Sequence, residues 1–364
     1  MTPVSDSETL DPTGMDALVE RAKQSELFTS PRLADDLRRF LRDHRPAALA
    51  LAAEAVERGI ETVYFTGSGG SWTAMYSGKY LADRFTTLTT DAALSYELIW
   101  RNPRRLGPKA LVIATSYSGE TEDTVAAARH ARAAGAWTVG LMSKADSTLA
   151  GETDSAIAYD STALYALPMA AVSLFSLEVA RLQGNGEAAE VLAAFDALPD
   201  AIAAAYASAQ APSLELARML LPAQELYCVA AGPLYGLAYK FALTVFMENI
   251  RVHGSIIESA EFRHGPAEML ERQRPHMVFL LGSDESRAMT ERSLQVARDR
   301  GAHTVVYDAA DLAGDVHPLL TPFVLKTPLQ WLVVHSALLR GILDLDERVL
   351  MGRHVLAEGG ARWP

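Results

Sequence analysis

One order of local signals occurs twice along this chain, and that duplication constrains the fold more than any other feature. The signal is a short β-rich run, then a Gly/Ser turn, then an amphipathic helical segment. In the first series Thr62–Thr66 reads as a strand, GSGGS as the turn and Trp72–Arg84 as a helix. Ala110–Ala114 is the next strand, followed by the turn TSYSGET and a helix to about Ala134, with further strands at Trp137–Met142 and Ala156–Tyr159. The second series has a strand at Leu226–Ala230, a Gly-Pro turn and a helix over Tyr235–Asn249. Strands at Met277–Leu281, His303–Tyr307 and Phe323–Lys326 follow, with a closing helix at Leu329–Leu345.

The two series superimpose at a nearly constant offset. Gly67 falls on Gly232, 165 residues later, and at the same offset Ser118, Glu120 and Thr121 fall on Ser283, Glu285 and Ser286. GAWTV from Gly135 matches GAHTV from Gly301, one residue further on. Three landmarks in one order favour tandem copies over chance. Strands alternating with helices predict α/β architecture, with parallel sheets covered on both faces. The helical lead-in at Pro31–Gly59 and the apolar stretch Ala163–Leu182 read as helices around these sheets.

Composition narrows what such a fold can do. The chain has 364 residues, 49% hydrophobic and 21% charged, which suits two ordinary globular domains. A formal net charge of −12 argues against nucleic acid and against an anionic membrane as partners. The single cysteine, Cys228, allows neither an internal disulfide nor a cysteine metal site, and it lies in an apolar run that reads as core. His253 and His264 stand eleven apart, without the short pairing of a metal motif, so no metal is expected. The polar first residues, MTPVSDSETLDPTG, do not read as a signal peptide, and no run is long enough to span a membrane. Cytoplasm is the expected location.

The turn TSYSGETED sits at the C-terminal end of a strand and opens a helix, where parallel sheets place ligands. A helix start offers free N–H groups and a positive dipole end, which suit a phosphate. Ser116, Ser118 and Thr121 add hydroxyls, Tyr117 lies between them, and Gly119 allows close approach. One hydroxyl suffices for a helix cap, and here three stand within six residues. Gly67, Ser68, Gly69 and Ser71 form a second turn of the same kind. Together they predict a site for a phosphorylated small molecule. Neither a P-loop lysine nor a dinucleotide fingerprint is present, and no organic cofactor is expected.

The second half carries charge instead. Glu248 ends the apolar helix YGLAYKFALTVFMEN, either as a solvated helix end or as a partly buried carboxylate. His264 follows sixteen residues later, before Gly265-Pro266 at a helix start, with Glu261 and Arg263 beside it.

These segments resemble a known family. SYSGET with its upstream Gly/Ser turn resembles the phosphosugar signature of sugar isomerase (SIS) domains. The block YCVAAGPLYGLAYKFALTVFMENIRVHGSIIESAEFRHGPAEML, then VFLLGSDESRAMTER, DVHPLLTPF and DERVLMG, resembles the fructosamine 6-phosphate deglycases. The resemblance implies two tandem flavodoxin-like SIS units, at 31–195 and 196–350, between tails at 1–30 and 351–364. It implies cleavage of a phosphorylated sugar-amine of Amadori type, with Glu248 moving a proton and His264 opening the sugar ring. Gly67, Ser68, Gly69, Ser71, Ser116, Tyr117, Ser118, Thr121, Glu261 and Arg263 would bind substrate, without metal or cofactor. The same glutamate–histidine skeleton occurs in the isomerase half of glucosamine 6-phosphate synthase. That enzyme carries a lysine where this chain has Val245, and it has a lysine-bearing C-terminal tail where this chain ends EGGARWP. The alternatives are an aminosugar-phosphate isomerase or deaminase and a non-catalytic phosphosugar sensor. The family also implies a homodimer or dimer of dimers, with His264 near the neighbouring chain's serine turn. The apolar segment ALYALPMAAVSLFSLEVA could serve that interface or the internal core.

Overall fold

A computed structural model of the chain describes residues 12–347. Nine strands are present there: β1 Thr62–Gly67, β2 Thr89–Leu94, β3 Ala110–Thr115, β4 Trp137–Met142, β5 Ser155–Ala158, β6 Glu225–Ala230, β7 His253–Glu258, β8 His276–Leu281 and β9 His303–Asp308. The first sheet has the order β2-β1-β3-β4-β5 and the second β7-β6-β8-β9. Every pairing is parallel. The α/β class and the two covered parallel sheets are therefore observed, and both sheets place their second strand outside their first.

Alternation along the strands divides the core. Val63, Phe65, Leu111, Ile113, Val139 and Leu141 face one apolar cluster, whereas Tyr64 and Val112 face another on the opposite side of the sheet. In the second sheet Cys228, Val278, Leu280 and Val305 join the same large cluster, while Val229, Met277 and Phe279 turn to their own. The helices Ala166–Leu182, Leu198–Leu220 and Thr321–Leu339 fill the shared cluster between the sheets. Every residue from Ala166 to Ala180 is buried within the single chain. That segment is internal core and has no face left for a partner. Burial also raises the pKa of the Cys228 thiol, so the free cysteine stays protonated and inert.

Several expectations need correcting. Phe323–Lys326 is not a strand, and no helix runs over Leu329–Leu345; one helix, Thr321–Leu339, covers most of both. A four-residue apolar run cannot be told from part of a buried helix by pattern alone. The edge strands β2 and β7 are additional, and the helix expected from Ala163 begins at Ala166. Part of the segment 1–30 expected as a tail is packed on the fold: Pro12–Ala22 is helical, and Val19 and Phe28 are buried in the main core. The end of the chain, EGGARWP, lies outside the described residues.

The landmarks also shift. Thr121 and Ser286 both stand at helix N-caps, and Gly135 and Gly301 both take positive φ before β4 and β9. The counterpart of Gly232 (φ 57) is Gly69 (φ 53), however, not Gly67, which is still within β1. Starting residues Thr62 and Glu225 put β1 and β6 163 apart, the same separation as Gly69 and Gly232.

The helical run before Glu248 has a specific distortion. Tyr235–Tyr239 is α-helical, Lys240–Val245 is π-helical and Phe246–Asn249 is α-helical again. The widened turn lies against β7, where a Cβ added to Gly254 would be 1.9 Å from the Ala242 carbonyl oxygen. The obstacle is backbone and cannot swing aside. Gly254→Ala is therefore expected to destabilise the protein by about 3 kcal/mol, the upper range for overpacking. Denaturant unfolding measures it, and a loss below about 0.5 kcal/mol, the size of a neutral surface change, would show that the π-turn yields freely.

Candidate active site

Both Gly/Ser turns follow the C-terminal ends of adjacent first-sheet strands, β1 and β3. In the turn after β3, Ser116 is buried and its hydroxyl lies 2.6 Å from that of Thr121 and 3.5 Å from that of Ser118. Ser116 Oγ also accepts from the Gly119 N–H at 3.0 Å, so it holds the turn's shape. Ser118 is exposed, and its Oγ accepts from the Glu120 N–H at 3.1 Å. Thr121 occupies the N-cap of the Glu122–Ala133 helix, yet its side chain makes no capping bond there. The three hydroxyls thus form a cluster rather than a simple cap. Gly119 has φ 71, and a Cβ on it would meet Ser147 Oγ at 2.2 Å, so the turn requires glycine. The Glu120 carboxylate points away to accept from Thr148 N and Oγ1, which holds its pKa below the usual carboxylate range. Tyr117 is half-buried, and burial raises the pKa of its phenol.

The turn after β1 is tied to this cluster, because Ser68 Oγ donates a short hydrogen bond to Asp123 Oδ2 in the helix that Thr121 opens. Its other side borders a cavity lined by Ser68, Gly70, Ser71, Glu248, Lys240 and Lys326, among others. One helical run contributes much of that wall. Lys240, Thr244 and Glu248, at successive spacings of four, all reach the cavity. Lys240 Nζ lies close to the glycine turn: a Cβ on Gly70 would meet it at 2.8 Å. The same ammonium stands 5.2 Å from the centroid of the Tyr165 ring. Leu27–Thr29 and Leu345 complete the rim. Asp346 fastens them by accepting from Ser25 Oγ and from the N–H groups of Glu26 and Leu27.

The structure therefore brings Glu248 to Ser68 and Ser71 across one cavity, with Glu248 exposed. Gly67, buried at the end of β1, and Gly69 support this turn without lining the cavity. His264, Glu261 and Arg263 are not brought there: all three are exposed on the turn Glu261–His264 after β7. Arg263 Nε donates to His264 Nε2 at 3.1 Å, which leaves that ring nitrogen as the acceptor. Lys240 and Lys326 escaped the sequence reading, because an isolated lysine in an apolar helical run carries no motif. Their one signal was a charge in an otherwise apolar stretch. Among the described residues no cluster of three or more His, Cys, Asp or Glu side chains could hold a metal ion, and no helix could cross a membrane.

Comparison with known proteins places this chain in a family. The SIS domain model matches residues 58–180, which contain both Gly/Ser turns. The chain is 31% identical over 328 residues to fructoselysine 6-phosphate deglycase of Escherichia coli K12, spanning 90% of this chain and 96% of that one. It is 33% identical over 282 residues to a fructosamine deglycase of Bacillus subtilis, spanning 74% and 85% of the two chains. The fold matches the C-terminal domain of glucosamine-fructose-6-phosphate aminotransferase from Francisella tularensis with TM-score 0.75, at 19% identity over 89% of this chain and 96% of that one. The chain belongs to the fructoselysine 6-phosphate deglycase family of SIS-domain proteins.

Proposed function

We propose that the protein is a deglycase that hydrolyses a phosphorylated Amadori compound to a hexose 6-phosphate and a free amine. The observation that carries this reading is the shared cavity of Glu248 and the Ser68–Ser71 turn, in a chain so similar to deglycases. The exposed Ser118 hydroxyl, Thr121 and the N–H groups opening the Glu122–Ala133 helix hold the phosphate, with Ser116 shaping the turn. Tyr117 and the Gly67–Ser71 turn position the sugar beside them.

The substrate is a 1-amino-1-deoxy-2-ketose. Once its ring is open, Glu248 takes a proton from carbon-1 to give the enaminol and returns it to carbon-2. The product is an imine at carbon-1, and water adds there to release the amine and leave the aldose. His264 takes the ring hydroxyl's proton and protonates the ring oxygen, since an imidazole has one nitrogen to accept and one to donate. Because His264 lies off the cavity of its own chain, it serves a neighbouring subunit's site in a homodimer or larger assembly, flanked by Glu261 and Arg263. No metal or organic cofactor enters these steps. The common strand order and the paired N-caps support reading 31–195 and 196–350 as tandem copies of one unit.

Lysine release from fructoselysine 6-phosphate and from unphosphorylated fructoselysine tests the reading. The phosphorylated compound should have a kcat/KM at least ~10²-fold higher, because phosphate contacts contribute binding energy remote from the reacting carbons. Ser118→Ala should raise KM more than it lowers kcat. Equal efficiency with and without phosphate would refute the assignment of the hydroxyl cluster.

A further inference from the structure

Lys326 is 2% exposed, within the apolar helix Thr321–Leu339, and it lines the cavity that Glu248 shares with the Ser68–Ser71 turn. Among the described residues its ammonium donates to two neutral oxygens, Thr29 Oγ1 at 2.7 Å and Gln330 Oε1 at 3.1 Å. Among the described residues the charged groups that act on it, Lys240 and Arg32, are both cationic. Burial and these two neighbours lower its pKa to about 7. A buried ammonium held by neutral acceptors costs stability, and packing alone would be served better by an apolar chain of equal length. An anion entering the cavity would offset that cost.

We infer that Lys326, with Lys240 alongside, holds a carboxylate on the amine part of the substrate and so selects amines derived from amino acids. This inference rests on the deglycase reading above. Position decides which anion the lysine takes. The phosphate already has the hydroxyl cluster of Ser116, Ser118 and Thr121, none of which lines this cavity. The amine leaves from carbon-1, the carbon that Glu248 serves, and Glu248 and Lys326 share the cavity. Lys326 is thus a specificity-determining residue. It takes no part in proton transfer. The competing role is a strut, since Thr29 and Gln330 also tie residues 27–30 to this helix.

Two substrates differing only in the carboxylate decide the matter: fructoselysine 6-phosphate and fructosylcadaverine 6-phosphate. The wild-type protein should favour the first by about 10–100-fold in kcat/KM, as expected for one hydrogen-bonded charge pair. In Lys326→Met that ratio should fall towards one through KM, with an unchanged or raised melting temperature. A ratio that persists in Lys326→Met, or a lowered melting temperature without loss of selectivity, makes the lysine a strut and overturns the inference. So does weakened glucose 6-phosphate binding with selectivity intact, which would put the phosphate at Lys326. If Lys326→Met does not fold, Lys326→Gln and the wild-type ratio still decide, because a wild-type ratio near one is itself fatal. Wild-type turnover of neither compound refutes the deglycase reading, whereas equal turnover of both refutes only the role of Lys326.

Discussion

Glu248→Gln is expected to lower kcat by ~10²–10⁴-fold, the usual contribution of a positioned acid–base group, while glucose 6-phosphate binding is retained. The separation of effects follows from where the side chain sits. Glu248 is in the last turn of its helical run and exposed, so the isosteric carboxamide disturbs no packing. The proposed phosphate contacts follow β3 of the first sheet, beyond the Ser68–Asp123 bond, whereas Glu248 lies in the Phe246–Asn249 helix of the second half. What the carboxamide lacks is a basic oxygen, and that loss stops transfer between carbon-1 and carbon-2. A second readout isolates the step: in deuterated water the wild-type protein should exchange the carbon-1 protons of bound substrate, and Glu248→Gln should not. A variant with near-wild-type kcat would remove Glu248 from the mechanism.

The sequence made some parts of this arrangement legible and concealed others, for physical reasons. β1, β3 and β8 are central strands buried on both faces, so they appear as continuous apolar runs. β2, TTDAAL, and β7, HGSIIE, are edge strands with partly exposed residues, and neither shows a run or a clean alternation. Phe323–Lys326 misled for the opposite reason, since an almost wholly buried helix shows no polar face to mark its period. The hydroxyl cluster was visible because its members are local in sequence. Glu248 was visible as an acid closing an apolar helix, whereas Lys240 and Lys326 reach the same cavity from segments 86 residues apart, by their numbers, through tertiary packing alone. The π-turn over Lys240–Val245 has no sequence signature of its own.

Mixing inactive Glu248→Gln with inactive His264→Ala, under conditions that exchange subunits, is expected to restore activity. The prediction rests on the position of His264, exposed on its turn and absent from the lining of its own chain's cavity. If a neighbouring chain's histidine completes each site, a mixed dimer has one site with both groups intact and one with neither. Random exchange at equal concentrations makes half of the dimers mixed, so recovery should approach about a quarter of wild-type activity in a two-fold assembly. Because Ala166–Ala180 is buried within one chain, the expected contact uses other surfaces, including that of the Glu261–His264 turn. Mass measurement of differently labelled chains establishes that exchange has occurred. Demonstrated exchange without recovered activity would show that Glu248 and His264 do not serve one site from different chains. Full activity in a sedimenting monomer would exclude the shared site altogether.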